Sequence, residues 1–397
     1  MINGPFTSWP LFTEEESLAV QNVILSNQVN YWTGKECREF EKEFAAFSET
    51  KYAIALANGT TALDIAFKAL DVGCGDEVIV TSRSYFASVS CIVNSGARPV
   101  FADVDLDTQN ISINSIRAVL TDKTKAILCV HLAGWPCDMD PIKHLADEYE
   151  LFVIEDCAQA HGAIYKGRPV GSLGHIGTWS FCQDKIMTTG GEGGMVTTND
   201  RKLWSKMWSY KDHGKSWEAI YEKEHPPGRR WVHDSFGTNW RMTEMQAVIG
   251  RIQLRRMPDW TSKRQANAEA IWNAARECAL LRVPELSCEG GAGQCGNNSC
   301  CSHAAYKCYV FVKGDESLRN AMMEAINDRG VPCLSGSCSE VYLEHAFDHT
   351  DMRPKERLPF ARELGETSLM FLCHPTLTKA EIQRTCDVIR EVASSCE

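Results

Sequence analysis

The sequence predicts an α/β protein, with a large doubly wound, mostly parallel sheet domain over residues 1–250 and a smaller C-terminal α/β domain over 251–397. Two observations predict it. Through the first 200 residues or so, short β-rich runs alternate with helical patterns, and several runs are apolar throughout, as strands are when helices cover both faces of a parallel sheet. Beyond about residue 240 the pattern changes to long helical stretches followed by a shorter strand and helix. Length agrees, since 397 residues have room for roughly two to three domains.

In chain order, strands are expected at 52–57 (YAIALA), 77–81 (EVIVT), 98–103 (RPVFAD), 125–131 (KAILCVH), 151–155 (LFVIE) and 194–198 (GMVTT). After the first of these, Ala62, Leu63, Ala66, Phe67 and Leu70 recur near helical spacing, which predicts a helix over 60–70. Helical patterns occupy 241–257 and 259–280, and a loop-like tract, SCEGGAGQCGNNSCCS, fills 287–302. An apolar strand at 307–313 comes next, and a last helix starts near 379 behind a capping box of Thr378 and Glu381. In a doubly wound sheet the ligand lies beyond the carboxyl ends of the strands.

Composition narrows the function. Hydrophobic residues at 44%, charged at 23% and aromatic at 9% are globular values and exclude a disordered, collagenous or coiled-coil chain. No stretch approaches the roughly 18–20 uninterrupted apolar residues of a membrane span. The start, MINGPFTSWP, lacks the features of a secretory signal, so a cytoplasmic location is expected. A net charge of −11 repels nucleic acid. The 18 cysteines are too sparse for a disulfide scaffold, and Cys91, Cys129, Cys157 and Cys373 sit singly in apolar runs, so reduced, buried thiols are expected. Cys288, Cys295, Cys300 and Cys301 are spaced C-x6-C-x4-C-C, which fits no zinc signature; no metal is expected, and the tract reads as an exposed loop.

Four local signals carry chemistry. Asn58-Gly59-Thr60-Thr61-Ala62 follows a strand and opens a helix, where free N–H groups bind anions and glycine lets a phosphate approach. It also reads as an ordinary capped turn. Asp156 ends the strand LFVIE, in Glu155-Asp156-Cys157-Ala158-Gln159, where a carboxylate meets a metal, a ribose hydroxyl or a protonated ring nitrogen. Lys185, after Ser180-Phe181-Cys182-Gln183-Asp184, precedes the glycine-rich run from Thr188 to Gly194. Tyr85, in Ser84-Tyr85-Phe86-Ala87-Ser88, follows the strand EVIVT; a core aromatic is its plain alternative. Together these form a phosphate cradle, an aromatic platform, an acid for a ring nitrogen and a lysine amine, which is the set pyridoxal 5'-phosphate requires.

The same motifs carry a resemblance. Trp32-Thr33-Gly34-Lys35, Phe40-Glu41, Phe44-Ala45, the segments around Gly59, Asp156 and Lys185, His213-Gly214, Gly237-Thr238-Asn239-Trp240-Arg241-Met242 and Leu358-Pro359 resemble the DegT/DnrJ/EryC1/StrS family of pyridoxal-phosphate sugar aminotransferases, nearly end to end. The resemblance implies the type I aminotransferase fold and transamination of a keto or aldehydo sugar with L-glutamate as donor, for lipopolysaccharide, O-antigen or antibiotic sugars. It implies that Lys185 holds the cofactor as a Schiff base and shuttles the proton, that Asp156 meets the ring nitrogen, and that Gln159 lies near the ring hydroxyl. Tyr85 would stack on the ring; Gly59, Thr60 and Ser180 would hold the phosphate, with Asn239 reaching in from a second subunit of a homodimer. In relatives that dehydrate sugars, histidine stands where Lys185 does, so lysine argues for transamination. Gln183-Asp184 before the lysine and the segment 216–235 are departures, and the latter leaves the acceptor open between a nucleotide-linked keto-hexose and a free sugar acid such as an 8-oxo octulosonate. Arg229-Arg230, Lys215 and His213 are cations suited to a carboxylate or a pyrophosphate, or an exposed basic turn. Two other readings are a nicotinamide-dependent sugar dehydrogenase and a cofactor-binding regulator without turnover. The first lacks G-x-G-x-x-G after its first strand, and Gly73-Cys74-Gly75 precedes a strand instead. Against the second stands the complete lysine, aspartate and phosphate set.

Overall fold

The computed structural model describes residues 5–224, 231–286, 300–336 and 339–396. A seven-stranded sheet forms the centre of the large domain. Its strands are β1 (Tyr52–Leu56), β2 (Glu77–Thr81), β3 (Arg98–Ala102), β4 (Thr124–Val130), β5 (Phe152–Asp156), β6 (Ile176–Ser180) and β7 (Gly194–Thr198). They lie in the order β1-β7-β6-β5-β4-β2-β3, and β7 alone runs against its neighbours.

Alternate side chains along these strands enter different cores, because successive Cβ atoms point to opposite faces. Ile54, Leu56, Val78, Val80, Leu128, Ile154 and Val196 share one core. Ala53, Ala55, Trp179 and Met195 belong to a second, and Ile79, Ile127, Cys129 and Val153 to a third on the same other face. Helices α3 (Gly59–Ala69), α4 (Ala87–Asn94), α7 (Arg201–Tyr210) and α8 (Trp217–Tyr221) cover the first face. The opposite face carries α2 (Glu36–Phe47), α5 (Ile113–Val119) and α6 (Met139–Glu148). This two-sided burial is why the strands read as continuous apolar runs.

One strand of this sheet escaped the sequence pattern. β6, Ile-Gly-Thr-Trp-Ser, carries one aliphatic side chain, yet all five of its residues are buried. Gly177 is required there, since a Cβ would lie 2.5 Å from Thr197 Oγ1 and 2.6 Å from the Gly171 carbonyl.

The helical patterns expected at 241–257 and 259–280 are one helix, α9 (Glu244–Arg276), which continues through Pro258. Its N-terminal half is tied to α1 (Glu14–Leu25) and α2 by ion pairs: Arg251 with Glu36 and Glu43, and Arg256 with Glu15 and Glu16. The C-terminal half contributes Ala268, Ile271, Trp272 and Ala275 to the core under the second sheet. Residue 250, the expected domain boundary, thus lies inside a continuous helix. The second sheet comprises β8 (Leu281–Arg282), β9 (Cys308–Val312), β10 (Cys333–Leu334) and β11 (Ser368–Phe371), in the antiparallel order β8-β9-β11-β10. The final helix (Lys379–Cys396) starts at the expected capping box: Glu381 Oε2 accepts from Thr378, and Thr378 Oγ1 accepts from the Glu381 N–H at 3.2 Å.

Cys91, Cys129, Cys157 and Cys373 are free and buried, as expected. Cys301 is disulfide-bonded, which corrects the reduced reading for that residue. It lies in the cysteine-dense tract rather than in an apolar run, half-buried against the core of α5 and α6. Cys288, Cys295 and most of that tract lie outside the described residues, as do Arg229 and Arg230. Among the described residues, no helix is long and apolar enough to cross a membrane.

Candidate active site

A cavity of about 470 Å³ opens beyond the carboxyl ends of β1, β2, β5 and β6. Its walls include Gly59, Thr60, Tyr85, Asp156, Gln159, Ser180 and Lys185. The strand ends bring together residues spread over more than a hundred positions. Of the residues singled out in the sequence, Asn239 is apart: it is exposed and outside this cavity, with its backbone bridged to Asp212.

The first wall is a helix start. Asn58 caps α3, its side chain accepting from Thr61 N at 2.9 Å in a capping box. Among the described residues nothing accepts from the N–H groups of Gly59 and Thr60, so two donors with the positive end of the helix dipole face the cavity. A Cβ at Gly59 would lie 2.6 Å from Ser180 Cβ, which leaves no room for a side chain and lets an anion sit on the backbone. Ser180, at the end of β6, holds its Oγ beside them and accepts from Cys182 N at 3.3 Å.

Asp156 is buried at the end of β5. Its Oδ2 accepts from Ser88 Oγ at 2.8 Å and its Oδ1 from Ala158 N at 3.1 Å, while Ser84 and Ser88 share a 2.7 Å hydrogen bond. Burial raises its pKa above the ordinary carboxylate value, despite those two bonds and the nearby Lys185 charge. A carboxylate left short of compensation in this way is suited to a cationic partner. Tyr85 is 64% exposed at the mouth, free to present its ring rather than filling a core. Gln159 is fixed by Ala133 N, which donates to its Oε1 at 2.8 Å. Lys185 is anchored through its backbone: its N–H donates to Cys182 O at 3.1 Å, and its carbonyl accepts from Trp9 Nε1 at 2.8 Å.

Neighbouring Glu155 plays a different part. With His131 and Cys157 it forms a buried group whose ligand atoms lie within 4.8 Å of each other. Its Oε1 accepts from Leu173 N and Gly174 N, and its Oε2 from Gly171 N and from His131 Nε2 at 3.0 Å. His131 Nδ1 accepts from Cys137 N, which assigns the ring proton to Nε2. Every carboxylate lone pair is therefore engaged, and Glu155 fastens the loop 171–174 to β5 instead of presenting ligands.

Two wall residues were missed in the sequence. Tyr306 donates its hydroxyl to Asp184 Oδ2, across 122 positions, and Lys185 Nζ lies over its ring, 5.2 Å from the centroid. No local pattern brings residue 306 to residue 185; only the packing of the two sheets does. Ser88 was missed too, although a signal existed: Ser84 and Ser88 bracket a helix start and stand four residues apart.

The donor set fits pyridoxal phosphate: an anion cradle without room for a Cβ, a lysine amine, a buried carboxylate and an exposed aromatic around one cavity. Comparison with known proteins agrees. The model of the DegT/DnrJ/EryC1/StrS aminotransferase family matches residues 10–390. The chain is 42% identical over 388 residues, 97% of each chain, to GDP-perosamine synthase of Escherichia coli O157:H7. In structure it is similar to an aminotransferase from Psychrobacter cryohalolentis, with 63% identity, a TM-score of 0.95 and coverage of 98% of this chain and 99% of that one. It is also similar to S. venezuelae DesV in complex with a ketimine intermediate, at 29% identity, a TM-score of 0.84 and 98% of both chains. The chain therefore belongs to the DegT/DnrJ/EryC1/StrS family and is a pyridoxal-phosphate-dependent sugar aminotransferase.

Proposed function

We propose that this enzyme transfers the amino group of L-glutamate to a nucleotide-linked keto-hexose for a cell-surface polysaccharide such as lipopolysaccharide. The observation that carries the reading is the convergence of Lys185, Asp156, Tyr85 and the α3 start on one cavity. The names of relatives support the acceptor: GDP-perosamine synthase, and a UDP-N-acetyl-3-dehydro-α-D-glucosamine aminotransferase of Acidithiobacillus ferrooxidans, 34% identical over 366 residues. Arg229 and Arg230, which suit a carboxylate and a pyrophosphate equally, lie outside the described residues.

When bound, the cofactor supplies an aldehyde that carries the amino group and a ring that withdraws electrons from the reacting carbon. The chain's residues do the rest. Gly59 N, Thr60 N and Ser180 Oγ bind the phosphate. Asp156 keeps a proton on the ring nitrogen by opposing its charge, and Ser88 and Ala158 hold that carboxylate in place. Tyr85 covers a ring face, and Gln159 orients the ring at its hydroxyl. Lys185 would hold the aldehyde, and its Nζ would move the proton to and from the substrate carbon. Asn239 completes the phosphate site of a second copy. The exposed Trp231 (86%) and Phe236 (100%) on the segment leading to it offer apolar area for that contact.

The test is a panel of L-glutamate with nucleotide-linked keto-hexoses and with free sugar acids, following 2-oxoglutarate. Release with a nucleotide-linked acceptor is expected; release only with a sugar acid overturns the acceptor. Borohydride should fix the cofactor to the peptide containing Lys185, and labelling elsewhere removes that residue's role.

A further inference from the structure

Asp184, one of the departures noted in the sequence, stands directly before Lys185 and lines the same cavity. Tyr306 brings its hydroxyl to Asp184 Oδ2 from the chain just ahead of β9. Two ammonium groups lie over the Tyr306 ring, Lys185 Nζ at 5.2 Å from the centroid and Lys307 Nζ at 4.9 Å. The four groups form one cluster: a carboxylate accepts from the phenol, and the phenol ring faces two cations. These contacts reinforce one another, since donation of the hydroxyl to an anion makes the ring a better partner for a cation. Burial pushes the Asp184 carboxyl up, but the Lys185 charge, the Tyr306 hydroxyl and Lys307 outweigh it and hold the group below its usual range. Asp184 is thus negative at neutral pH. Lys307 is pushed down by burial and partly restored by Asp184.

We infer that Asp184, clamped by Tyr306, is a positioning residue that sets a fixed carboxylate beside the Lys185 nitrogen at the cavity. The inference rests on the function proposed above. Its physical content is a fixed negative charge at that point, and a nearby opposite charge favours the charged form of the nitrogen that joins cofactor and lysine in the holoenzyme. The other groups facing Lys185 do not supply this charge from the same side. His161 is pushed down to about 3 by burial and by Lys185 and Arg264, and is neutral. Cys182 is pushed up by burial and Glu192, and stays a thiol. Asp156 also lines the cavity, but its two oxygens are bound to Ser88 and Ala158. Arg264 and Lys307 are cations and act in the opposite direction.

The experiment follows the visible absorbance of the cofactor joined to lysine, as a function of pH, in holoenzyme carrying Asp184→Asn, Tyr306→Phe or Asp184→Glu. A midpoint lower by about one pH unit or more is expected in Asp184→Asn, the size produced by removing one nearby opposite charge. The fall should be smaller in Tyr306→Phe, which loosens the carboxylate but keeps it, and Asp184→Glu should stay near the parent. An unmoved midpoint in Asp184→Asn, whatever happens to kcat, overturns the inference and leaves Asp184 a packing residue. Should Asp184→Asn not retain the cofactor, Tyr306→Phe decides by the same criterion. A parent protein with no such absorbance band defeats the proposed function and this inference together, whereas a band whose midpoint stays put defeats the inference alone.

Discussion

Asp156 shows how one side chain's surroundings prepare it for a task. The carboxylate has two hydrogen bonds and is buried, and burial has the larger effect. A positive ring nitrogen is the missing compensation. Replacement Asp156→Ala should leave cofactor bound through the phosphate and Lys185, yet cut turnover about a hundredfold or more, the scale of losing one preorganised electrostatic group. Cofactor absorbance and kcat measured together check this; near-normal turnover would refute the role. At this scale the sequence was informative wherever a residue's neighbours along the chain fix its setting. Asp156 ends a strand, Gly59 opens a helix, and Lys185 abuts a glycine-rich turn, so each was legible. Tyr306 and Trp9 were not, because each reaches the lysine segment through contacts more than a hundred positions apart in the chain.

Among the elements, α3 bears most on the chemistry. Its Asn58 cap takes Thr61 N, and the two donors between them, Gly59 N and Thr60 N, are left to a ligand. Gly59→Ala places a methyl 2.6 Å from Ser180 Cβ, so either β6 or the helix start must shift. Overpacking of this kind costs about 1–3 kcal/mol, which corresponds to a cofactor dissociation constant raised about tenfold or more. Titration of cofactor-free protein reads it, and unchanged affinity would remove the close-approach argument. Periodicity revealed β1 to β5 and β7 because their apolar residues run unbroken. It missed β6, whose glycine, threonine and tryptophan are chosen by tight packing against β7 and the loop near Gly171 rather than by alternation. The proline at 258 likewise divided α9 on paper, while ion pairs to α1 and α2 and the second sheet's core keep it whole.

For the molecule as a whole, stability should depend on pH with a definite sign. Burial pushes His161, His303 and His374 from 6.5 down to about 3. The unfolded chain takes up these protons as pH falls through 6.5, and the folded chain does not, so this stability is complete above about 6.5 and is lost progressively toward 3. Each histidine contributes a slope of up to about 1.4 kcal/mol per pH unit in that window. The urea midpoint should therefore fall between pH 7.5 and 5, and a flat profile would contradict the burial of these rings. Assembly offers a second test at this scale. Mixed dimers of Lys185→Ala and Asn239→Ala should recover part of the activity if Asn239 serves the partner's cavity, since one of the two sites is then intact. No recovery would mean self-contained subunits.

The indole of Trp9 reaches across 176 positions to the Lys185 carbonyl, and Thr7 beside it is bound to Glu381. Anyone modifying this enzyme therefore has an asymmetric choice. Trimming the leading dozen residues to help crystals grow would remove the clasp on the reactive loop. An appendage following the last helix touches neither clasp.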